Sequence, residues 1–222
     1  FDRACASGAD AVIVDLEDAV PPAEKDAARD ALSNWLAPER QVLVRVNAAD
    51  TPWHEADLEM CRQPGVTGIV LPKAEMVSGA VEALSTSGDR LLLPLIETAI
   101  GLTRAREISR APGVRRLVFG SIDFQVDLGI DGDGEELLYF RSQLVLVSRL
   151  ASRAPPIDGV TTALDDDAPV ARDAQAAQRL GFGAAADCAR GEPERYREHR
   201  HDDRDAGSDD DPARFEDETG FD

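Results

Sequence analysis

The sequence predicts a parallel α/β fold, and within that class a (β/α)₈ barrel of the TIM type. Short runs of Val, Ile and Leu alternate with amphipathic helical segments at least six times, as expected for a parallel sheet. Most runs end in a charged residue: Asp15, Arg45, Lys73, Glu97, Asp123 and Asp158. A barrel gathers all its strand ends in one mouth, whereas an open sheet gathers only those near its switch point. No GxGxxG or Walker sequence supports a nucleotide-binding alternative.

The first three predicted strands are short and rich in β-branched residues, and a helix follows each of them. The strands are Ala11–Leu16, Gln41–Val46 and Val66–Leu71. Their helices begin at Pro21, at Thr51 and at Val77. Before them, the chain opens on the end of a helix that stops at Gly8.

The centre of the chain contains a strand–helix–strand unit, and further alternating elements follow it. Its strands are Leu91–Ile96 and Leu117–Phe119, and its helix is Thr98–Arg110. The later elements are a helix at 135–154, a strand at 156–160, a helix at 165–180 and a strand that starts at Gly181.

A carboxylate follows each strand of the central unit, Glu97 after the first and Asp123 after the second. Since the carboxyl ends of neighbouring parallel strands point into one crevice, these side chains are expected to converge. Mg²⁺ commonly takes one or two protein carboxylates and leaves positions for substrate. The alternative is that both residues cap the helices that follow them.

The charge of the chain argues against binding to nucleic acid, which requires a basic surface. Formal net charge is -19, with 27 Asp and 16 Glu against 22 Arg and only 2 Lys. An Asp-rich, Lys-poor surface is typical of proteins that work in high salt, although a GC-rich genome also produces an Arg bias. No apolar run approaches 18 residues and no signal peptide is visible, so no membrane association is expected.

The three cysteines, Cys5, Cys61 and Cys188, are far apart and odd in number. They supply neither a disulfide framework nor the spacing of a metal site, which favours a reducing, cytoplasmic location.

Composition divides the chain into a barrel domain, residues 1–183, and an acidic tail, residues 184–222. The tail has 14 acidic and 6 basic residues and almost no aliphatic residue larger than Ala. Because such a segment buries too little apolar area to offset its ordering entropy, the tail is expected to be largely disordered.

Six segments in order carry a resemblance to a known family: GADAVIVDLEDAVPPAEKDAAR, VLVRVNAADTPW, GIVLPKAE, LLPLIETAIGL, LVFGSIDFQVDLG and PIDGV. The chain resembles the citrate lyase β-subunit and malyl-CoA lyase family of the HpcH/HpaI aldolase superfamily. The resemblance implies a (β/α)₈ barrel, a Mg²⁺ cofactor and a homo-oligomer, trimer or hexamer. It also implies cleavage of a carbon–carbon bond in a β-hydroxyacyl-CoA thioester of the citryl-CoA or malyl-CoA type, releasing acetyl-CoA and a keto acid.

The resemblance also implies roles for particular residues. Glu97 and Asp123 would be the metal ligands, with Glu97 also at the substrate. Arg45 would bind the substrate carboxylate or the thioester oxygen, and Glu17 and Asp18 would orient Arg45 or a water on the metal.

The general base stays open at this point. Glu17, Asp18 and a residue of a neighbouring subunit are the candidates, whereas a surface role is preferred for His54. A Schiff base on Lys73 ranks below the metal route, and an ion pair is preferred for that residue.

The chain departs from the family pattern at both ends. An LFVPG-type strand is absent before Phe1, and an IHP-type segment is absent after Gly183. The barrel is therefore expected to be incomplete, with its first strand missing and its eighth altered. Two alternatives to a lyase remain, a malyl-CoA-type thioesterase and a non-catalytic, truncated remnant of the family.

Overall fold

The computed structural model describes residues 1–6, 9–85, 90–161, 167–187 and 197–198. Its strands are β1 Ile13–Asp15, β2 Val42–Arg45, β3 Val66–Leu71, β4 Leu91–Ile96, β5 Val118–Phe119, β6 Ile157–Thr161, β7 Ala184–Asp187 and β8 Arg197–Glu198. Its α-helices are α1 Asp2–Cys5, α2 Lys25–Trp35, α3 His54–Met60, α4 Ser78–Ser85, α5 Ala99–Ile108, α6 Ser121–Leu128, α7 Glu135–Leu150 and α8 Asp167–Leu180. A single 3₁₀ turn, Pro22–Glu24, leads into α2.

The strands form one sheet in chain order, β1 to β8. Every neighbouring pair from β1 to β7 is parallel, and β8 is antiparallel to β7. Among the described residues no ladder joins β1 to the far end of the sheet. The predicted fold class, an incomplete (β/α) barrel, is therefore confirmed.

Apolar side chains cover both faces of the curled sheet because side chains alternate along each strand. The inner face carries the smaller cluster, with Leu43, Val70, Leu93, Leu95, Val118 and Ile157 at its centre. The outer face packs under the helices and includes Val44, Ile69, Leu92, Ile96, Phe119 and Leu32 of α2. This double layer fixes each strand and therefore fixes the direction of the residues that follow its end.

Two parts of the structure differ from the sequence-based expectation. No element was predicted for residues 121–128, which form α6. This helix begins after Gly120 and ends at Gly129, whose backbone is in the left-handed conformation. The strand predicted to start at Gly181 is β7, which occupies the first four residues of the predicted tail, pairs with β6 and packs Ala184 and Ala186 on the inner face. Apart from β8, the remainder of the predicted tail lies outside the described residues.

Within the part of the chain that the structure describes, no helix has both the length and the hydropathy required to cross a bilayer. Cys5 is exposed and Cys61 is buried, and both are free thiols. The predicted cytoplasmic location stays a prediction.

Candidate active site

Three charged residues extend the inner face of the sheet at its carboxyl edge. Arg45 continues the alternation that starts at Leu43, and Glu97 continues that of Leu93 and Leu95. Asp15 ends β1 and is the direct register partner of Arg45. The strand period therefore brings these side chains together above the apolar inner layer.

Arg45 is held by an acidic cluster at the end of β1. Its Nε and Nη2 donate to the two carboxylate oxygens of Asp15 at 2.8 and 2.5 Å. Its Nη1 lies 3.4 Å from Glu17 Oε2 and 3.3 Å from Asp18 Oδ2. Burial disfavours the charged guanidinium, but the hydrogen bonds and charge of Asp15 outweigh this, and the pKa of Arg45 is raised. Arg45 is thus a fixed cation whose Nη1 has the longer contacts.

Glu17 and Asp18 differ in environment although they are neighbours in sequence. Glu17 is buried, whereas the Asp18 side chain is 64% exposed. Burial raises the pKa of Glu17 to about 7; Asp18 and Asp15 add to the rise, and Arg45 and Lys73 oppose it. Glu17 can therefore accept or release a proton near neutral pH.

Glu97 is nearly inaccessible, with 2% of its surface exposed. Its Oε1 accepts a hydrogen bond from Lys73 N at 2.6 Å, an amide that the left-handed backbone of Lys73 (φ 45°) directs toward it. Burial raises the pKa of Glu97 to about 8; Glu17 and Asp123 add to this, and the bond from Lys73 and the charge of Arg45 oppose it. The positive charge around the carboxylate is therefore too small to compensate for its burial.

Asp123 lies in the first turn of α6, beside Glu97. Gly120 makes this approach possible, because a Cβ at position 120 would lie 2.5 Å from Glu97 Oε2. No side-chain hydrogen bond caps α6, and α5 is capped by Thr98, whose Oγ1 accepts from Gly101 N at 2.9 Å. Neither Glu97 nor Asp123 is therefore a helix cap, which was the alternative to a metal site.

The donor set at this position fits a hard divalent cation. No hydrogen bond to Glu97 Oε2 or to Asp123 comes from the described residues. Those residues also contain no group of three or more His, Cys, Asp or Glu side chains suited to a metal. Two carboxylates are nevertheless sufficient for Mg²⁺, which retains water or substrate at its other positions.

Other charged residues lie near the strand ends but have protein partners. Asp127 accepts from Ala99 N at 2.7 Å and so holds the start of α5. Asp158 is buried and pairs with Arg141 at 3.0 Å. Within the described residues Lys73 forms no ion pair, although its charge lowers the pKa of Glu17.

The surface role preferred for His54 is wrong. His54 is 6% exposed, and its Nδ1 lies 2.7 Å from the carbonyl oxygen of Asn47. The ring faces the main chain after β2 because α3 folds back on that strand end. The burial of His54 was not predictable from Trp53 beside it, because an apolar neighbour at the start of a helix does not show which face of that helix is buried.

Sequence reasoning did not find the principal partner of Arg45, which is Asp15. Asp15 also accepts from Glu17 N at 2.8 Å and Ala19 N at 3.1 Å, so both of its oxygens are fully used. The available signal was its position, since parallel strands in register align the last residues of β1 and β2. Asp15 thus orients Arg45 and shapes the loop that carries Glu17.

Comparisons with known proteins identify the family of the chain. The model of the HpcH/HpaI aldolase/citrate lyase family matches residues 1–186. The chain belongs to this family. It is 40% identical over 192 residues to a citrate lyase subunit beta-like protein of Deinococcus radiodurans, an alignment that covers 79% of this chain and 66% of that protein.

Two further proteins are similar to this chain, and one of them is a thioesterase. A (3S)-malyl-CoA thioesterase of Cereibacter sphaeroides is 31% identical over 187 residues, covering 82% of this chain and 66% of that protein. The crystal structure of CitE from Mycobacterium tuberculosis with magnesium, acetoacetate and coenzyme A has a TM-score of 0.73 and 32% identity, covering 86% of this chain and 71% of that one. This chain spans just under two thirds of the length of both curated relatives.

Proposed function

We propose that the protein is a Mg²⁺-dependent carbon–carbon lyase for a β-hydroxyacyl-CoA thioester of the citryl-CoA or malyl-CoA type. The products would be acetyl-CoA and a keto acid. The observation that supports this best is the buried Glu97, whose pKa is raised and which lies beside Asp123, with one strand, β3, between it and the strand of the fixed Arg45. A site with this shortage of positive charge suits a divalent cation together with an anionic substrate.

Glu97 and Asp123 would hold the cation. Mg²⁺ in that position would supply positive charge that lowers the pKa of the substrate hydroxyl and polarises the carbonyl that forms. The protein's contribution is to keep the two carboxylates in place, through Lys73 N for Glu97 and the first turn of α6 for Asp123.

Glu17 is the best candidate for the general base. A carboxylate with a pKa near 7 takes a proton efficiently at neutral pH. The hydroxyl proton would pass to Glu17, the carbon–carbon bond would break, and its electron pair would move to the thioester oxygen as an enolate. Return of that proton from Glu17 to the enolate carbon completes acetyl-CoA. Asp18, more exposed, contributes mainly to the field around Arg45.

Arg45 would stabilise the enolate oxygen. Its Nε and Nη2 are occupied by Asp15, so Nη1, with its longer contacts to Glu17 and Asp18, is the donor available to substrate. A donor fixed before reaction needs no reorganisation when negative charge develops, which is the main source of electrostatic catalysis.

A thioesterase is the second candidate, and the Cereibacter sphaeroides relative is the observation that favours it. In that reaction Glu17 would take a proton from water, which would attack the thioester carbonyl while Arg45 stabilises the same oxygen. The carbon–sulfur bond would then break, and CoA would leave with the proton that Glu17 returns. Both reactions use one set of side chains, so only the products separate them.

Product analysis tests the proposal. The purified full chain with Mg²⁺ and either citryl-CoA or malyl-CoA should release acetyl-CoA and keto acid in equal amounts. Free hydroxy acid and CoA instead would establish the thioesterase, and no product with either substrate would favour a remnant.

Arg45→Lys should retain Mg²⁺ binding and lose most turnover, because an amine cannot bind Asp15 through two nitrogens while donating to substrate.

A further inference from the structure

Lys25 opens α2 and is buried, with 7% of its surface exposed. Its ammonium group donates to the carbonyl oxygens of Leu16 at 2.8 Å and Glu17 at 2.6 Å. The same nitrogen lies 5.6 Å from the centre of the Trp53 ring, within cation–π range. Because a buried charge is tolerated only where such contacts compensate for desolvation, Lys25 has a well-defined place beneath this loop.

The main chain of Glu17 is held on both sides. Its amide donates to Asp15 Oδ1 at 2.8 Å, and its carbonyl oxygen accepts from Lys25 and, at 3.1 Å, from Val20 N. The preceding amide, that of Leu16, donates to the carbonyl of Arg45 at 2.9 Å. Asp15 thus secures the amide side of the loop, and Lys25 secures its carbonyl side.

We propose that Lys25 is a positioning residue of the active site, holding the main chain of Glu17 so that its carboxylate stays beside Arg45. The catalytic consequence rests on the proposed function, whereas the effect on the loop rests on the contacts alone. Lys25 lies beneath the loop and acts through carbonyl oxygens, so it has no direct part in the chemistry. Its contribution is to remove motion from a group that must be in place before reaction.

The residue type supports this role. The chain uses 22 Arg and only 2 Lys, yet Lys occupies this position. An ammonium is compact and has three donors, so it can serve two successive carbonyls and still face an aromatic ring. A guanidinium is larger and holds its donors in a rigid planar fork, whereas the ammonium of Lys25 reaches both carbonyl oxygens with one nitrogen.

The test compares Lys25→Met with Leu32→Val in the full chain. Met keeps the apolar stem of the side chain and removes both hydrogen bonds. Leu32, on the same helix and 0% exposed, touches the core instead of the loop, so Leu32→Val loosens α2 without altering those bonds. Amide hydrogen exchange of Glu17, Ala19 and Val20 is measured in both variants, together with kcat, KM and Mg²⁺ affinity.

In Lys25→Met, exchange of these amides should rise and kcat should fall by about tenfold or more, while KM and Mg²⁺ affinity change by no more than about twofold. Leu32→Val should leave exchange in the loop and kcat unchanged, although its thermal midpoint falls. If Lys25→Met does not fold, Lys25→Gln, which retains one shorter donor group, should show a smaller change in the same direction.

Unaltered exchange in a folded Lys25 variant would overturn the proposal, and so would altered exchange with wild-type kcat. If the wild-type chain shows neither lyase nor thioesterase activity, the proposed function fails. The exchange rates still decide in that case: unchanged loop protection rejects Lys25 as the residue that holds Glu17, and lost protection confined to the loop supports it.

Discussion

Glu97 has an ionisation that affects the stability of the apoprotein. Its carboxyl has a pKa of about 8 in the fold against an ordinary value of 4.5, so the folded state binds its proton more tightly than the unfolded state. Stability from this group is therefore fully present below pH 4.5 and is lost as the pH rises through 8. The total effect is on the order of a few kcal/mol.

Replacing Glu97 by Gln should remove that dependence, because the amide carbonyl still accepts from Lys73 N but cannot ionise. Urea unfolding in EDTA between pH 5 and 8.5 is the measurement. Wild type should lose stability across this range, and the Glu97→Gln profile should be flatter, with the remaining slope due to Glu17. The exposed Glu59→Gln is the matched control and should follow wild type. An equally steep profile in Glu97→Gln would refute the assignment.

The convergence of charged side chains at this edge of the sheet was predictable from the sequence, and their hydrogen-bond partners were not. Arg45, Glu97 and Asp123 follow from a simple rule, that polar residues at parallel strand ends share one mouth. Lys25 escaped notice because it lies on a helix, eight residues beyond Glu17, and only the path of the loop brings the two together. Partners of this kind depend on tertiary geometry that spacing does not encode.

At the scale of elements, the contact between β5 and β4 depends on a residue without a side chain. A Cβ at Gly120 would lie 2.5 and 2.6 Å from Glu97 Oε2 and Cβ, so Gly120→Ala must displace the carboxylate. We expect a loss of about 1–3 kcal/mol in unfolding free energy and loss of Mg²⁺-dependent stabilisation. Thermal unfolding with and without Mg²⁺ measures both.

Gly79→Ala is the control for that substitution. Nothing lies within 4 Å of a Cβ at Gly79, which is in α4, so the change should leave Mg²⁺ stabilisation intact and increase stability by up to about 1 kcal/mol. Equal Mg²⁺ responses in the two variants would show that Gly120 does not maintain the metal site.

A second network connects α2 and α3 to the end of β2. Asp57 is fully buried; its Oδ1 accepts from Arg29 Nε at 2.7 Å, and its Oδ2 accepts from Asn47 N and Nδ2 at 2.9 and 2.7 Å. Asp57→Ala would leave these donors buried without an acceptor, at a cost of roughly 3–5 kcal/mol in chemical denaturation. Glu59→Ala, which breaks an exposed pair with Arg62, should change stability by less than about 1 kcal/mol. Similar losses in both would contradict this role.

Element bounds were predicted best where burial is continuous. β3 and β4 have the predicted limits, because five of the six residues of each strand are buried and such short, mostly apolar runs have few other interpretations. α6 was missed because it has eight residues, of which only Ser121 and Phe124 are buried, too few to establish a helical period. Its position is set instead by Gly120, Gly129 and the packing of Phe124 against Phe119 and Phe140.

At the scale of the whole molecule, the alternation of elements predicted the fold class, and the chain order of the strands confirmed it. That alternation does not encode whether the first and last strands of the sheet pair with each other, because closure depends on the geometry of the whole sheet. The acidic excess is likewise a property of the whole surface. Residues 1–183 carry -11 of the net charge of -19, so the acidic excess is not confined to the last 39 residues of the chain.

This charge predicts that salt stabilises the protein. The screening length falls from about 10 Å at 0.1 M to about 3 Å at 1 M, which weakens repulsion across the surface more than contacts between adjacent groups. The thermal midpoint in EDTA should therefore rise by several degrees between 0.1 and 2 M KCl. Glu97→Gln should show the same rise, because screening does not require a cation at the acidic site. A rise confined to wild type would indicate ion binding at Glu97 instead, and a flat or falling midpoint in both proteins would mean that the Asp-rich, Arg-rich composition carries no adaptation to salt.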